Sequence, residues 1–370
     1  MLNRCLRKDG ISLPYVGQGL GKYSKEDIQI EVIREGISVG INFIDTAEIY
    51  GEGESEIIVG KAIKGIRDKV IIGTKFSPQN SSKNRIIMSL ENSLKRLGTD
   101  YIDLYQMHWL HPDIPIEETI SILESIIKSG KIKYIGLCNV EISEIQNIQS
   151  LLTFSHISTV QVEYNLFDRS IEDRGLIQYC NDNNIIIIGY TPIDHGRVID
   201  GNENKNIINN IAKKYKSSPA QVAIRVLTSI DPVVVIPHTT RCKHIRENSE
   251  LFNIDMSVED IKLILDISKK DVQYINPSDI RVIMDGEDNR KTYGTIEEAI
   301  DNKLNFVPSP LELSKYIKKS NNIKPVRLVL NKKNDDIKFN LVEGRIRYWA
   351  WVMAMGDKKI PSLIRENYLK

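Results

Sequence analysis

Eight short apolar runs in the first 240 residues constrain the fold more than anything else in this chain. They lie at 16–20, 41–45, 70–75, 102–108, 132–138, 159–164, 185–190 and 233–237, each short enough and rich enough in Ile and Val to read as a buried strand. Between them the period changes to that of amphipathic helices, for instance at 25–39, 82–97, 115–129, 172–182 and 219–228. Repeated strand–helix units demand a parallel sheet, since a parallel partner is reached only through a crossover. An open doubly wound sheet rarely continues so regularly to eight strands, so the expected fold class is α/β, a closed (β/α)8 TIM barrel. Residues 1–13 read as a hairpin turning at Lys8-Asp9-Gly10. A helical pattern at 258–268 closes the unit, giving an expected barrel domain of 1–268.

At 370 residues the chain has room for a second, smaller domain. It is 41% hydrophobic and 27% charged, with no apolar run near the eighteen or so residues a membrane span needs. Met1-Leu-Asn-Arg-Cys-Leu-Arg-Lys8 lacks the apolar centre of a secretory signal, so a cytoplasmic protein with no membrane partner is expected. A net charge of +1 excludes a strong global attraction to nucleic acid and leaves room for a local basic patch. Cys5, Cys138, Cys180 and Cys242 show no paired spacing, which suggests reduced thiols rather than a metal centre or disulfide framework.

Several runs close on one polar residue. Asp45, Lys75 and His108 end the second, third and fourth runs, and Tyr50 follows Asp45 in a glycine-bounded loop. Parallel barrel strands point one way, so these four side chains would gather at the C-terminal rim. Carbonyl reduction needs a hydride on carbon and a proton on oxygen. Tyr50 is the expected proton donor, with Lys75 lowering its pKa by about two to three units from near 10. Asp45 would anchor Lys75, and His108 would orient the carbonyl oxygen. The competing reading is a buried structural Asp45–Lys75 pair beside a core tyrosine and histidine.

The segments Asn42-Phe-Ile-Asp-Thr-Ala-Glu-Ile-Tyr-Gly51, Gly73-Thr-Lys75, Ser93-Leu-Lys-Arg-Leu-Gly-Thr-Asp-Tyr-Ile-Asp-Leu104, Gly130-Lys-Ile-Lys-Tyr-Ile-Gly136, Val160-Gln-Val-Glu-Tyr-Asn165 and Ser218-Pro-Ala-Gln221 carry a resemblance. In order and spacing, residues 1–265 resemble the aldo-keto reductase family, a (β/α)8 barrel that uses NAD(P)H without a Rossmann domain. The resemblance implies the same four catalytic roles and an aldehyde or ketone reduced to an alcohol. It implies that Asn139 and Gln161 hold the nicotinamide carboxamide and that Tyr190 stacks on its ring. Cys138 departs from the serine usual there, and a thiol is a weaker hydrogen-bond partner. Glu247 and Asn248 would contact adenine. Arg241 would grip a 2′-phosphate, which favours NADPH, with NADH as the alternative. Tyr23 and Trp109 would wall the substrate pocket. Gly17-Gln-Gly-Leu-Gly21 enters no helix with the spacing of a dinucleotide fingerprint and is discounted.

Residues 271–370 exceed the family's C-terminal loop. They read as strand, helices at 295–302 and 309–320, strands at 326–331 and 338–342, then a glycine turn into a helix and Ile360-Pro-Ser-Leu-Ile. This order resembles the α+β ParB/sulfiredoxin-like fold. The resemblance implies a nucleotide phosphate or nucleic acid at the helix N-terminus, near Glu343, Gly344, Arg345 and Arg347, with Asp288-Asn-Arg-Lys adding charge. No cysteine lies beyond Cys242, so sulfinic-acid repair is not expected. A cofactor-sensing regulatory protein with a ligand-binding tail is the alternative to an enzyme.

Overall fold

The computed structural model describes residues 5–8, 10–21, 25–200, 204–283, 292–321, 323–332 and 336–365. The chain forms two compact units, Met1–Val198 with Asn206–Ser268, and Ile199–Lys205 with Lys269–Lys370. The first begins with a hairpin of β1 (Cys5–Lys8) and β2 (Ile11–Pro14), antiparallel around Gly10 at φ +86°. Eight parallel strands follow: β3 (Gln18–Gly19), β4 (Phe43–Asp45), β5 (Ile71–Phe76), β6 (Ile102–Met107), β7 (Ile132–Cys138), β8 (Ile157–Glu163), β9 (Ile186–Tyr190) and β10 (Val233–Ile236). They pair in sequence order.

The ring closes where Val16 bridges Val235 and the Gly17 N–H donates to the Val235 carbonyl at 2.8 Å. A Cβ at Gly19 would lie 2.5 Å from the Ile236 carbonyl oxygen, closer than atoms approach without displacement. Gly17 and Gly19 therefore serve the barrel seam.

Helices bury one stripe against the strands. In Lys83–Leu97, Ile86, Leu90, Leu94 and Leu97 are buried at helical spacing, each such side chain contributing roughly 1.5–3 kcal/mol. Gly98 ends that helix at φ +63°, a left-handed cap. The expected helix at 172–182 is instead two, Ser170–Asp173 and Leu176–Asp182, separated by Gly175 at φ +73°. A glycine in that conformation cannot continue an α-helix, so the chain turns there. No helix among the described residues is long and apolar enough to cross a membrane.

The second unit holds a curled mixed sheet of β11 (Gln273–Ile275), β12 (Ile280–Val282), β13 (Val326–Leu330), β14 (Phe339–Glu343) and β15 (Ile360–Arg365). Its order is β11-β15-β13-β14-β12, with β15–β13 and β14–β12 parallel and the other pairs antiparallel. Helices Pro310–Ser320 and Arg345–Met355 contribute Ile317, Ala350 and Trp351 to a core with Val326, Leu328, Leu341 and Ile360. Ser309 and Glu312 form a reciprocal capping box at the first of these helices.

Candidate active site

Because all eight strands run one way, the residues closing β4, β5 and β6 reach the same rim. Lys75 is fully buried; its Nζ donates to Asp45 Oδ2 at 2.5 Å and to the Thr46 carbonyl at 2.8 Å. After β4 the chain passes through Gly51, Glu52 and Gly53, all at positive φ. That turn carries the Tyr50 ring back, its centroid 5.1 Å from Lys75 Nζ. Glu48 ties the turn to β5 and the next helix: it accepts from the Ser77 N–H at 2.6 Å, Asn80 Nδ2 at 2.8 Å and Ser89 Oγ at 2.5 Å. His108 meets Tyr50 edge-on, centroids 5.8 Å apart, and stacks on Trp109 at 3.8 Å. The quartet Asp45, Tyr50, Lys75 and His108 thus converges.

Charge sets the protonation states. Burial alone would strip the Lys75 proton, but neighbouring groups, the Asp45 carboxylate foremost, outweigh it and push the ammonium above its ordinary value. For Tyr50 the balance is reversed. Burial raises the phenol pKa by more than the Lys75 ammonium lowers it, with Asp45 adding to the rise. The expected lowering by two to three units is corrected: burial lifts the phenol above its ordinary value, so it keeps its proton at neutral pH. His108 is driven well below its usual value, first by burial and then by Lys75, so its ring is neutral. Its Nδ1 is buried with no hydrogen-bond partner among the described residues. Such an orphaned group costs roughly 1–3 kcal/mol unless something meets it.

The expected cofactor residues line the strand ends beyond. Asn139 sits at φ +58° just after β7, donating Nδ2 to the His108 carbonyl at 3.3 Å and accepting from the Tyr190 hydroxyl at 3.0 Å. Gln161, on β8, is buried; its Nε2 donates to Asp45 Oδ1 at 2.8 Å and to Gln106 Oε1 at 3.2 Å. Two carboxamides and an aromatic ring at one rim suit a nicotinamide, whose own carboxamide has an acceptor and a donor pair. Cys138 is buried, its Sγ 3.9 Å from Gln106 Oε1, and burial pushes its thiol far above the ordinary value; it stays a neutral thiol. Arg241 is the exposed N-cap of helix Cys242–Ser249, whose far turn carries the half-buried Glu247 and the buried Asn248. Glu247 pairs with Lys243 at 3.7 Å. Tyr23 lies outside the described residues.

Sequence reasoning missed Gln106. Its Nε2 donates to Asp45 Oδ1 at 2.8 Å from a fully buried position on β6. The signal was an amide inside an apolar strand, where a buried polar group must find partners.

In the second unit Gly344, at φ +91°, starts helix Arg345–Met355. Both arginines of its first turn have partners within the unit. Arg345 is buried, donating toward the Ile283 carbonyl at 3.4 Å, and Arg347 pairs with Glu343 Oε1 at 3.3 Å. The unit's own carbonyl and carboxylate thus partner both guanidiniums. Asp288-Asn-Arg-Lys lies outside the described residues.

A closed parallel barrel with an acid, a phenol, a neutral imidazole and a buried ammonium on its C-terminal rim defines a (β/α)8 enzyme. More narrowly, the chain belongs to the aldo/keto reductase family, which residues 16–269 match. It is 33% identical over 259 residues to the methylglyoxal reductase YeaE of Escherichia coli, covering 69% of this chain and 90% of that one. Among solved structures it is similar to the thermostable aldo-keto reductase Tm1743 in complex with epalrestat, at 34% identity and TM-score 0.67, covering 72% of this chain and 99% of the other. An aldo/keto reductase from Klebsiella pneumoniae in complex with NADP and acetate matches at 30% identity and TM-score 0.67, covering 72% and 96%. The protein is an NAD(P)H-dependent oxidoreductase that reduces carbonyl compounds.

Proposed function

We propose that the barrel reduces an aldehyde or ketone to an alcohol with NADPH, Tyr50 giving the proton to the carbonyl oxygen. The nicotinamide, when bound, supplies the hydride. His108 donates a hydrogen bond to the same oxygen as charge develops on it, and Lys75, held by Asp45, stabilises the phenolate that Tyr50 leaves. Asn139 and Gln161 hold the carboxamide, Tyr190 supports the ring, and Glu247 and Asn248 take the adenine. Arg241 meets the 2′-phosphate, and Trp109 walls the pocket. The observation that carries this reading is the Lys75 ammonium bonded to Asp45 Oδ2 and 5.1 Å from the Tyr50 ring, with an orphaned His108 Nδ1 beside them. The likeness to the E. coli methylglyoxal reductase favours a small aldehyde or dicarbonyl substrate.

The domain limits 1–268 and 271–370, a cytoplasmic location and a ParB/sulfiredoxin-like second unit belong to the same proposal. The strand–glycine turn–helix–strand order across β14, Arg345–Met355 and β15 supports the last point.

The test is loss of nicotinamide absorbance with NADPH and a panel of aldehydes including methylglyoxal. Tyr50→Phe should lower kcat by roughly 10²–10⁴-fold and leave the NADPH dissociation constant unchanged. A wild type that binds NADPH and reduces nothing would make the barrel a cofactor-sensing regulatory module instead.

A further inference from the structure

Above an apolar layer of Phe43, Leu104, Ile186, Ile188 and Val234, the strands carry buried polar side chains, Asp45, Lys75, Gln106 and Gln161, where such barrels are ordinarily packed with branched apolar ones. Among these polar residues Gln106 bonds to both Asp45 and Gln161, in register with Lys75 on one side and Gly136 on the other. Two glycines make its space. A Cβ at Gly136 would lie 2.8 Å from the Gln106 Cγ, and one at Gly73 would lie 3.4 Å from both Gln106 Nε2 and Asp45 Oδ1.

We propose that Gln106 is a positioning residue of this site, fixing at once which oxygen Asp45 turns to Lys75 and which end of the Gln161 carboxamide is offered to the cofactor. The inference rests on the reading of Gln161 given above. Asp45 has one oxygen for each duty. Oδ1 accepts from Gln106 and Gln161, both at 2.8 Å, leaving Oδ2 to the Lys75 ammonium. The second consequence follows from counting protons. An amide nitrogen has two, and Gln161 Nε2 directs them to Asp45 Oδ1 and Gln106 Oε1. The Gln106 oxygen must be the acceptor of that bond, because its own nitrogen is committed to Asp45. Gln161 therefore offers the cofactor an acceptor only, which pairs with the carboxamide N–H of nicotinamide and not with a ketone at the same place.

The experiment compares the dissociation constants of NADP⁺ and its 3-acetylpyridine analogue, which lacks that N–H, by quenching of tryptophan fluorescence. Wild type should hold the analogue roughly 3- to 10-fold more weakly, the worth of one hydrogen bond. Gln106→Met keeps the stem but neither polar atom, so Gln161 can rotate and the preference should shrink to near unity. A merely structural role would lower the melting temperature and leave the preference intact. An unchanged preference in the folded variant overturns the proposal. A second measurement needs no variant: the Gln161 side-chain NH₂ pair should exchange slowly with solvent in ¹⁵N spectra of the wild type, and rapid exchange overturns it. A wild type that reduces aldehydes but does not distinguish the two cofactors sinks this inference alone, whereas one without turnover sinks the reading beneath it.

Discussion

Two carboxylates, one in each unit, are surrounded by donors in different ways. Asp45 is buried and meets one ammonium and two neutral amides, so charge is balanced one to one. Glu343 is half-buried among cations: Arg365 at 3.0 Å, Arg347 at 3.3 Å, with Lys324 and Arg327 close enough to act on it. Burial pushes its carboxyl up, but those four groups overcome it and hold it well below the usual range. The surplus shows on Lys324, whose ammonium is driven well below its ordinary value by burial and then by Arg347 and Arg327. The comparison separates two uses of a buried charge. Around Asp45 the Lys75 ammonium faces the phenol, and the nearby His108 Nδ1 has no partner among the described residues. Around Glu343 the anion serves to hold cations together.

The largest effect should come from breaking the balanced pair. Lys75→Met leaves the Asp45 carboxylate buried without its cation, which costs roughly 3–5 kcal/mol of stability. It also removes the charge opposite the phenol, so kcat should fall by about 10³-fold or more, the upper part of what a general acid supplies. Adding Asp45→Asn should restore most of the urea midpoint and none of the turnover. If the double variant recovered activity, the ammonium would be a strut like those around Glu343.

Glu343→Gln tests the other side. It removes a negative partner that these cations share, and urea unfolding monitored in the second unit should show a loss of roughly 1–3 kcal/mol, a charged hydrogen bond's worth, reduced by the partial exposure of the pair. Salt should partly rescue it by screening the repulsion. Aldehyde turnover should persist. A collapse of turnover with stability unchanged would break the distinction between the two clusters.

The sequence made the barrel legible because its strands are short, apolar and evenly interrupted, and parallel strands carry their end residues to one rim without further information. Asp45, Lys75 and His108 could be read that way, and Tyr50 through its glycine turn. Three things could not. Gly175 broke a helix whose apolar spacing continues across it, since periodicity does not register one left-handed residue. The Tyr50 phenol went up rather than down because a string of residues shows the nearby lysine but not how deeply both are buried. Gln106 escaped because an isolated amide in a strand names no partner; only the register that sets Lys75, Gln106 and Gly136 side by side reveals it.

Glu124 supplies a third arrangement, an anion held by neutral donors. Buried on helix Ile116–Lys128, it accepts from the backbone N–H groups of Thr153, Phe154 and Ser155 at 2.9, 3.1 and 3.3 Å and from the Thr153 and Ser155 hydroxyls at 2.7 and 3.0 Å. Desolvation pushes its pKa up, but the hydrogen bonds outweigh it and hold the carboxyl at about 2. An unfolded glutamate titrates near 4.3, so the folded state binds its proton less readily. The stabilisation is therefore complete above about pH 4.3 and is lost as pH falls toward 2. Gln at this position would set an N–H pair against a ring of N–H and O–H donors. Glu124→Gln should accordingly lower the urea midpoint at pH 7, by less than either variant above, and the gap to wild type should narrow between pH 4.5 and pH 2.5. A gap that stayed constant across that range would mean that the shape of the loop, rather than the charge its donors enclose, sets the contribution of Glu124.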